Sequence, residues 1–107
     1  MQVEDVVREL KVMNDERDWD QFHSLANLAK SISIEAGELL ECFQWSDTDF
    51  NRQHVKEELA DVLSYCLMLT DKLDMDPMAI VHEKMKSTRE KYPIEKAKGK
   101  RTKYTEL

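Results

Sequence analysis

Two pairs of acidic residues stand out in this sequence because mostly apolar residues follow or surround them. Glu35 and Glu38 fall in the segment SISIEAGELLECFQW, where every charged residue is acidic, and Glu58 and Asp61 begin the stretch EELADVLSYCLMLT. Each pair has an i, i+3 spacing, which on a helix places both carboxylates on one face, about 5–6 Å apart. Like charges this close repel each other, and burial strengthens the repulsion. Four such carboxylates on adjacent helices therefore require a compensating charge.

A divalent cation would supply that charge. Mg²⁺ prefers oxygen ligands, keeps several of its waters and bridges to the phosphates of substrates. The four acids are thus a candidate Mg²⁺ site that acts on a phosphate compound. One alternative is that they form a solvated acidic face, by which a helical interaction module binds a partner protein. A di-iron carboxylate bundle is a third interpretation, but it needs Glu-x-x-His pairs, and no histidine here follows a glutamate by three positions.

Four helical segments must position these acids. The periodicity of apolar residues predicts helices over about 2–15, 20–45 and 51–73. A fourth helix is predicted to begin at Asp76-Pro77 and to end at Pro93, with Asp76 as its N-cap. We expect the basic tail, residues 93–107, to be irregular. The sequence contains only two glycines and two prolines, the residues that most often interrupt helices. We therefore predict an all-α fold, a bundle of about four helices.

Length and charge narrow the possible functions. A chain of 107 residues has the length of a single domain. The third helix is mostly apolar, which predicts that self-association completes the hydrophobic core. The first 83 residues have a net charge of −12 and residues 84–107 a net charge of +6. An acidic body argues against a nucleic-acid polymer as the partner. A basic tail suits an anionic ligand that arrives with a divalent metal, although a solvated tail would have the same composition.

The cysteines and the hydropathy indicate where the protein works. No stretch approaches the roughly 18 uncharged apolar residues of a membrane span, so we expect no membrane partner. Cys42 and Cys66 both fall in helical patterns. We interpret them as reduced thiols of a cytoplasmic protein.

The acidic pairs also carry a family resemblance. E35-A-G-E38, nineteen residues, then E58-L-A-D61 resembles the E-x-x-E…E-x-x-D signature of MazG-like nucleotide pyrophosphohydrolases. The strings RDWDQFHSLANL, ELLECFQW, EELADVLSY and KYPIEKAKGKRTKYTEL are similar to the dCTP pyrophosphatase branch of that family. The resemblance extends over about residues 15–107.

The resemblance implies a fold, a reaction and an assembly. It implies a single all-α MazG-like domain over residues 1–107, whose four-helix core is built from paired protomers, with a homotetramer as the expected assembly. The implied reaction is Mg²⁺-dependent hydrolysis of a (deoxy)nucleoside triphosphate, dCTP-like in its base, to the monophosphate and pyrophosphate. Such a reaction removes unwanted nucleotides from the cellular pool.

The resemblance also assigns roles to residues of this chain. The implied metal ligands are Glu35, Glu38, Glu58 and Asp61. Glu35 or Glu38 is the candidate catalytic base that accepts a proton from the attacking water. The nucleoside pocket is expected to contain Trp19, His23, Asn27, Trp45 and Tyr65, and the phosphate contacts are expected to involve Lys84, Arg89 and Tyr92.

Two positions depart from the family pattern. The broader family often has a glutamate immediately before the first E-x-x-E, where this chain has Ile34. Either Glu57 supplies that extra carboxylate or this chain does not have it. Thr88 stands where the pattern after the third helix suggests an asparagine, so the phosphate contacts are less securely inferred than the metal ligands.

Overall fold

All regular structure in this protein is helical. The computed structural model describes residues 1–107 and contains no strand. Its long helices are α1 (Val3–Glu16), α2 (Leu25–Glu41), α3 (Arg52–Lys72) and α4 (Pro77–Lys91). The prediction of an all-α fold with four long helices is confirmed. None of these helices is both long enough and apolar enough to cross a membrane.

Side-chain caps begin three of the helices. Ser24 accepts a hydrogen bond from a backbone N–H of the first turn of α2, at 3.1 Å. Asn51 does the same for two N–H groups of α3. Asp76 caps α4, with Pro77 at the first helical position, as its sequence predicts. Each cap satisfies N–H groups that have no partner within the helix.

The second helix is shorter at both ends than the prediction of 20–45. Asp20–Phe22 forms a 3₁₀ turn, and the helix begins only after the Ser24 cap. At the other end, the N–H groups of Cys42 and Phe43 bond to carbonyls three residues back, at 3.2 and 3.0 Å. This tighter hydrogen bonding ends the α-helix at Glu41. Apolar periodicity alone does not separate such turns from an α-helix.

The tail is less irregular than its sequence predicts. A four-residue helix, α5 (Ile94–Ala97), follows Pro93, and a 3₁₀ turn spans Tyr104–Glu106. Elements of three or four residues are too short to produce a periodic pattern. Within this segment the Tyr92 hydroxyl accepts a hydrogen bond from the Tyr104 N–H at 3.2 Å, and their rings meet edge to face with centroids 5.9 Å apart.

The chain divides into two compact units, residues 1–74 and 75–107. In the first unit α2 packs along α3, and α1 packs against α3 less extensively. Leu28 is the only fully buried apolar side chain. Leu59 and Leu63 on α3 remain 45% and 56% exposed, so the helices of the single chain leave much of their apolar surface uncovered.

A tight turn connects α1 to the 3₁₀ turn. The Trp19 N–H bonds to the Asn14 carbonyl at 2.9 Å, and the Asp18 N–H bonds to the Asp15 carbonyl at 3.2 Å. This pair of bonds is a Schellman motif. Asp18 takes the left-handed conformation that the motif requires, with φ 53°, and its carboxylate accepts a hydrogen bond from Gln21 at 2.9 Å. The turn fixes the backbone direction at Trp19.

Candidate active site

Packing of α2 against α3 brings three of the four acids together. Glu35 and Glu38 project from α2 and Glu58 from α3, and one carboxylate oxygen of each lies within 4.8 Å of the other two. The i, i+3 spacing on α2 aims its two carboxylates at the same point of α3. Asp61 lies one turn beyond Glu58 and is exposed. The acids thus form a cluster of three with a fourth beside it.

Two oxygens of this cluster have no hydrogen-bond partner. They are Oε2 of Glu35 and Oε2 of Glu58, and both atoms are buried. Neither residue belongs to an ion pair, because the two ion pairs of the chain are Arg8–Asp5 and Lys72–Asp20. Buried acceptors are almost always satisfied in folded proteins. Unsatisfied acceptors on converging carboxylates match the oxygen donor set of a hard divalent cation.

The clustering changes the proton affinity of the carboxyl groups. A hydrogen bond shared with Glu38 is the largest cause that raises the pKa of Glu35, followed by burial and by the neighbouring negative charges, and the pKa reaches about 7. Burial is the main cause that raises the pKa of Glu58, with Glu38 and Asp61 adding to it. A bound cation would reverse these shifts, because it stabilises the charged form of each carboxylate.

Three of the residues assigned to the nucleoside pocket lie near the 3₁₀ turn. The rings of His23 and Tyr65 meet edge to face, with their centroids 6.3 Å apart. His23 immediately follows the 3₁₀ turn and Tyr65 lies one turn beyond Asp61 on α3. Asn27 is exposed, and its amide donates to the Phe22 carbonyl at 3.0 Å. In this conformation the Asn27 side chain is therefore used to hold the turn.

The two tryptophans are not held in the same way. Trp19 is 46% exposed and lies under the Arg17 guanidinium, which is 5.8 Å from its ring centre. Trp45 is 90% exposed. A side chain so exposed packs against very little, so the single chain does not bring Trp45 into a closed pocket.

The residues assigned to phosphate contacts belong to the second unit. Lys84 and Arg89 line one groove along α4, together with Thr88 and the apolar side chains of Ile80 and Met85. Tyr92 ends α4 and is bonded to the tail through its hydroxyl.

One polar residue that the sequence did not single out is buried in the first unit. Asn14, near the end of α1, is 5% exposed. It lines a cavity of about 240 Å³ together with His23 and the end of α3. In the sequence Asn14 begins the polar string NDERDWDQ, and nothing in such a string predicts that its asparagine is buried. Only its packing against Met68 distinguishes it.

Comparison with known proteins gives the family. The model of the MazG-like family matches residues 30–107. The chain belongs to the MazG-like family. The matched region includes all four acids of the cluster, and the recognition made from the E-x-x-E…E-x-x-D spacing is confirmed.

Curated relatives of this MazG-like chain are pyrophosphatases by name. It is 41% identical to dCTP pyrophosphatase 1 of Mus musculus and 39% identical to that of Homo sapiens, each over 101 residues. Each match covers 86% of this chain and 59% of the relative, so the chain spans about three-fifths of these relatives' length. A pyrophosphatase from Archaeoglobus fulgidus, a solved structure, is 40% identical, with a TM-score of 0.79 over 84% of this chain and 91% of its own.

Proposed function

We propose that this chain is a Mg²⁺-dependent nucleoside triphosphate pyrophosphohydrolase that acts on dCTP or a similar nucleotide and releases pyrophosphate. The observation that carries the proposal is the convergence of carboxylate oxygens from Glu35, Glu38 and Glu58 within 4.8 Å of one another. In addition, Glu35 and Glu58 each have a buried oxygen without a hydrogen-bond partner. The name of the curated relatives, dCTP pyrophosphatase 1, supports the substrate. The role is to remove unwanted nucleotides from the cellular pool.

In this proposal Glu35, Glu38 and Glu58 hold Mg²⁺, and Asp61 is the fourth carboxylate. When bound, the ion supplies neutralisation of phosphate charge and acidification of a coordinated water. The protein supplies the arrangement of the carboxylates. Because α2 and α3 both contribute, the cluster depends on the packing between these two helices and not on one helix alone.

The chemical step is hydrolysis at the α-phosphorus. A bond forms between a water oxygen and the α-phosphorus, the bond to the bridging oxygen breaks, and pyrophosphate leaves. Glu35 or Glu38 accepts the proton of the attacking water. Both residues are candidates because each contributes a carboxylate oxygen to the acidic cluster, where the attacking water would have to lie. Glu38 is exposed and approaches both other carboxylates.

The remaining assigned residues bind the substrate. Trp19 and Trp45 offer exposed aromatic faces on which a base can stack, and His23 and Tyr65 form an edge-to-face pair beside the 3₁₀ turn. Asn27 holds that turn. On α4 and at its C-cap, cationic and hydroxyl side chains are proposed to contact the β- and γ-phosphates; they are Lys84, Arg89 and Tyr92.

We also propose that one MazG-like domain comprises the whole chain and that it works as a homotetramer. The support is the exposure of apolar side chains on the long helices and the single fully buried one, Leu28. Light scattering at micromolar concentration tests the assembly, and an active monomer would contradict it.

We place the reaction in the cytoplasm because Cys42 and Cys66 are free thiols, as is usual in reducing compartments.

The test is pyrophosphate release from nucleoside triphosphates with and without Mg²⁺. Glu35→Gln should lower kcat by about 100-fold or more, because it removes a carboxylate proposed as ligand and base. Glu41→Gln is the matched control, since Glu41 is an exposed glutamate at the end of the same helix. Equal activity of the two variants would contradict the proposal.

A second measurement separates the enzyme from an acidic interaction module. In the enzyme, Mg²⁺ and a nucleotide should together raise the melting temperature more than the sum of their separate effects, because each binds better in the presence of the other. A module that binds a partner protein has no reason to show this dependence.

A further inference from the structure

The cavity in the first unit is built from three elements. It lies beside α1, the Asp20–Phe22 turn and the C-terminal part of α3, and its volume is about 240 Å³. Pockets that enclose whole drug-sized ligands occupy roughly 300–1,000 Å³, so this cavity suits a fragment such as one heterocyclic ring. Leu10 and Leu67 give it apolar walls, and Lys72, paired with Asp20 at 2.9 Å, lies among its polar residues.

Asn14 lines this cavity and has an unused hydrogen-bond acceptor. Its amide nitrogen donates to the Met68 sulfur at 3.6 Å. Its Oδ1 is buried and has no donor. The contact with sulfur orients the amide, because only the nitrogen can donate. A ligand group that fits this place must therefore bring an N–H to Oδ1.

The cavity and the acidic cluster lie along one face of α3. Glu58, Asp61, Tyr65 and Met68 are separated by three, four and three residues, the spacing of a single helical face. Asp61 and Met68 are about 10 Å apart along the helix axis, at 1.5 Å per residue. A nucleotide whose phosphates are at the acids can thus extend past Tyr65 and His23 and place its base at Asn14.

We infer that Asn14 reads the base of the substrate: its Oδ1 accepts a hydrogen bond from the exocyclic amino group of cytosine. This inference rests on the proposed function. Thymine and uracil have a carbonyl oxygen at the same ring position, so two acceptors would face each other. A buried polar group that is left unpaired rejects the wrong ligand more strongly than an apolar wall does. Asn14 is then a specificity-determining residue of this chain.

The experiment compares wild type, Asn14→Leu and Asn14→Asp by kcat/KM for dCTP, dUTP and a dCTP analogue with hydrogen in place of the 4-amino group. Wild type should prefer dCTP to the analogue by about 10- to 100-fold. Asn14→Leu should reduce that preference to within about threefold, since the acceptor is gone. Asn14→Asp keeps an acceptor oxygen and should retain the preference for dCTP.

The matched control is Glu16→Gln, which changes an exposed polar residue of the same helix outside the cavity and should leave the preference for dCTP unchanged. A purely structural role for Asn14 would change kcat/KM for all three nucleotides by one common factor, and that result would overturn the inference. If Asn14→Leu does not fold, the wild type still decides, because equal kcat/KM for dCTP and the analogue excludes an amino-group contact. Wild type that releases no pyrophosphate from any nucleotide would instead refute the proposed function itself.

Discussion

Mg²⁺ binding should depend on pH because Glu35 holds a proton that the ion must displace. With a pKa of about 7 in the metal-free protein, Glu35 is charged in about a tenth of molecules at pH 6 and in about nine-tenths at pH 8. If only the charged form is a ligand, the apparent affinity for Mg²⁺ should rise about tenfold over this interval. Above pH 8 the affinity should change little, and at pH 7 binding should release about half a proton.

The same shift predicts the stability of the metal-free protein. The pKa of Glu35 rises from 4.5 to about 7 on folding, so between these values the folded chain holds a proton that the unfolded chain has lost. Stability contributed by this group is full below pH 4.5 and is lost as the pH rises through 7. Saturating Mg²⁺ should offset the loss at high pH, because it binds the charged form.

Isothermal titration calorimetry at pH 6, 7 and 8, in buffers with different ionisation enthalpies, measures both the affinity and the protons released. Glu35→Gln should bind Mg²⁺ more weakly and with a smaller dependence on pH, the remaining dependence coming from Glu58, whose pKa is also raised. Asp20→Asn is the control: the hydrogen bond from Lys72 lowers the pKa of Asp20 in wild type, so this group is charged throughout the interval. An affinity that is constant from pH 6 to 8 would refute the reasoning.

Further predictions concern the cluster, the stacking surface and the turn. Asp61→Asn should abolish pyrophosphate release, yet raise the unfolding free energy of the metal-free protein by about 1 kcal/mol because it relieves repulsion; near-normal activity in saturating Mg²⁺ would remove Asp61 from the site. Trp45→Ala should raise KM about tenfold for all four deoxynucleoside triphosphates, and an effect on one base alone would contradict simple stacking. Asp18→Ala should cost about 1 kcal/mol in denaturant unfolding, because alanine at φ 53° is strained and loses the bond from Gln21, whereas Asp18→Asn should cost under about 0.5 kcal/mol.

Local signals in the sequence were sufficient for the helices whose ends are capped. Asn51 and Asp76-Pro77 lie where α3 and α4 begin, because a side-chain cap acts on its own first turn. The start of α2 was predicted five residues early. Ser24 is the cap, but the apolar and aromatic residues before it continue a helix-like pattern through a 3₁₀ turn.

The convergence of Glu35, Glu38 and Glu58 followed from spacing, since i, i+3 pairs share a helical face. Which of the four acids stands apart did not follow, because the rotation of α3 against α2 decides it. Asn14 was not predictable for the same reason. Its burial depends on where α1 meets Met68, residues 54 positions apart, and periodicity within one helix contains no information about such a contact.

The shared face of α3 has a consequence for how this protein can change. Each residue of a helix turns the chain by about 100°, so inserting one residue between Asp61 and Tyr65 would rotate all that follows away from the acids. A substitution keeps the number of residues between Asp61 and Tyr65 and therefore leaves the rotation of α3 unchanged. Variation at the C-terminal end of α3 and in the α1 residues beside it can therefore alter the cavity while the carboxylates keep their positions, whereas insertions and deletions within Glu58–Met68 should be absent from active homologues.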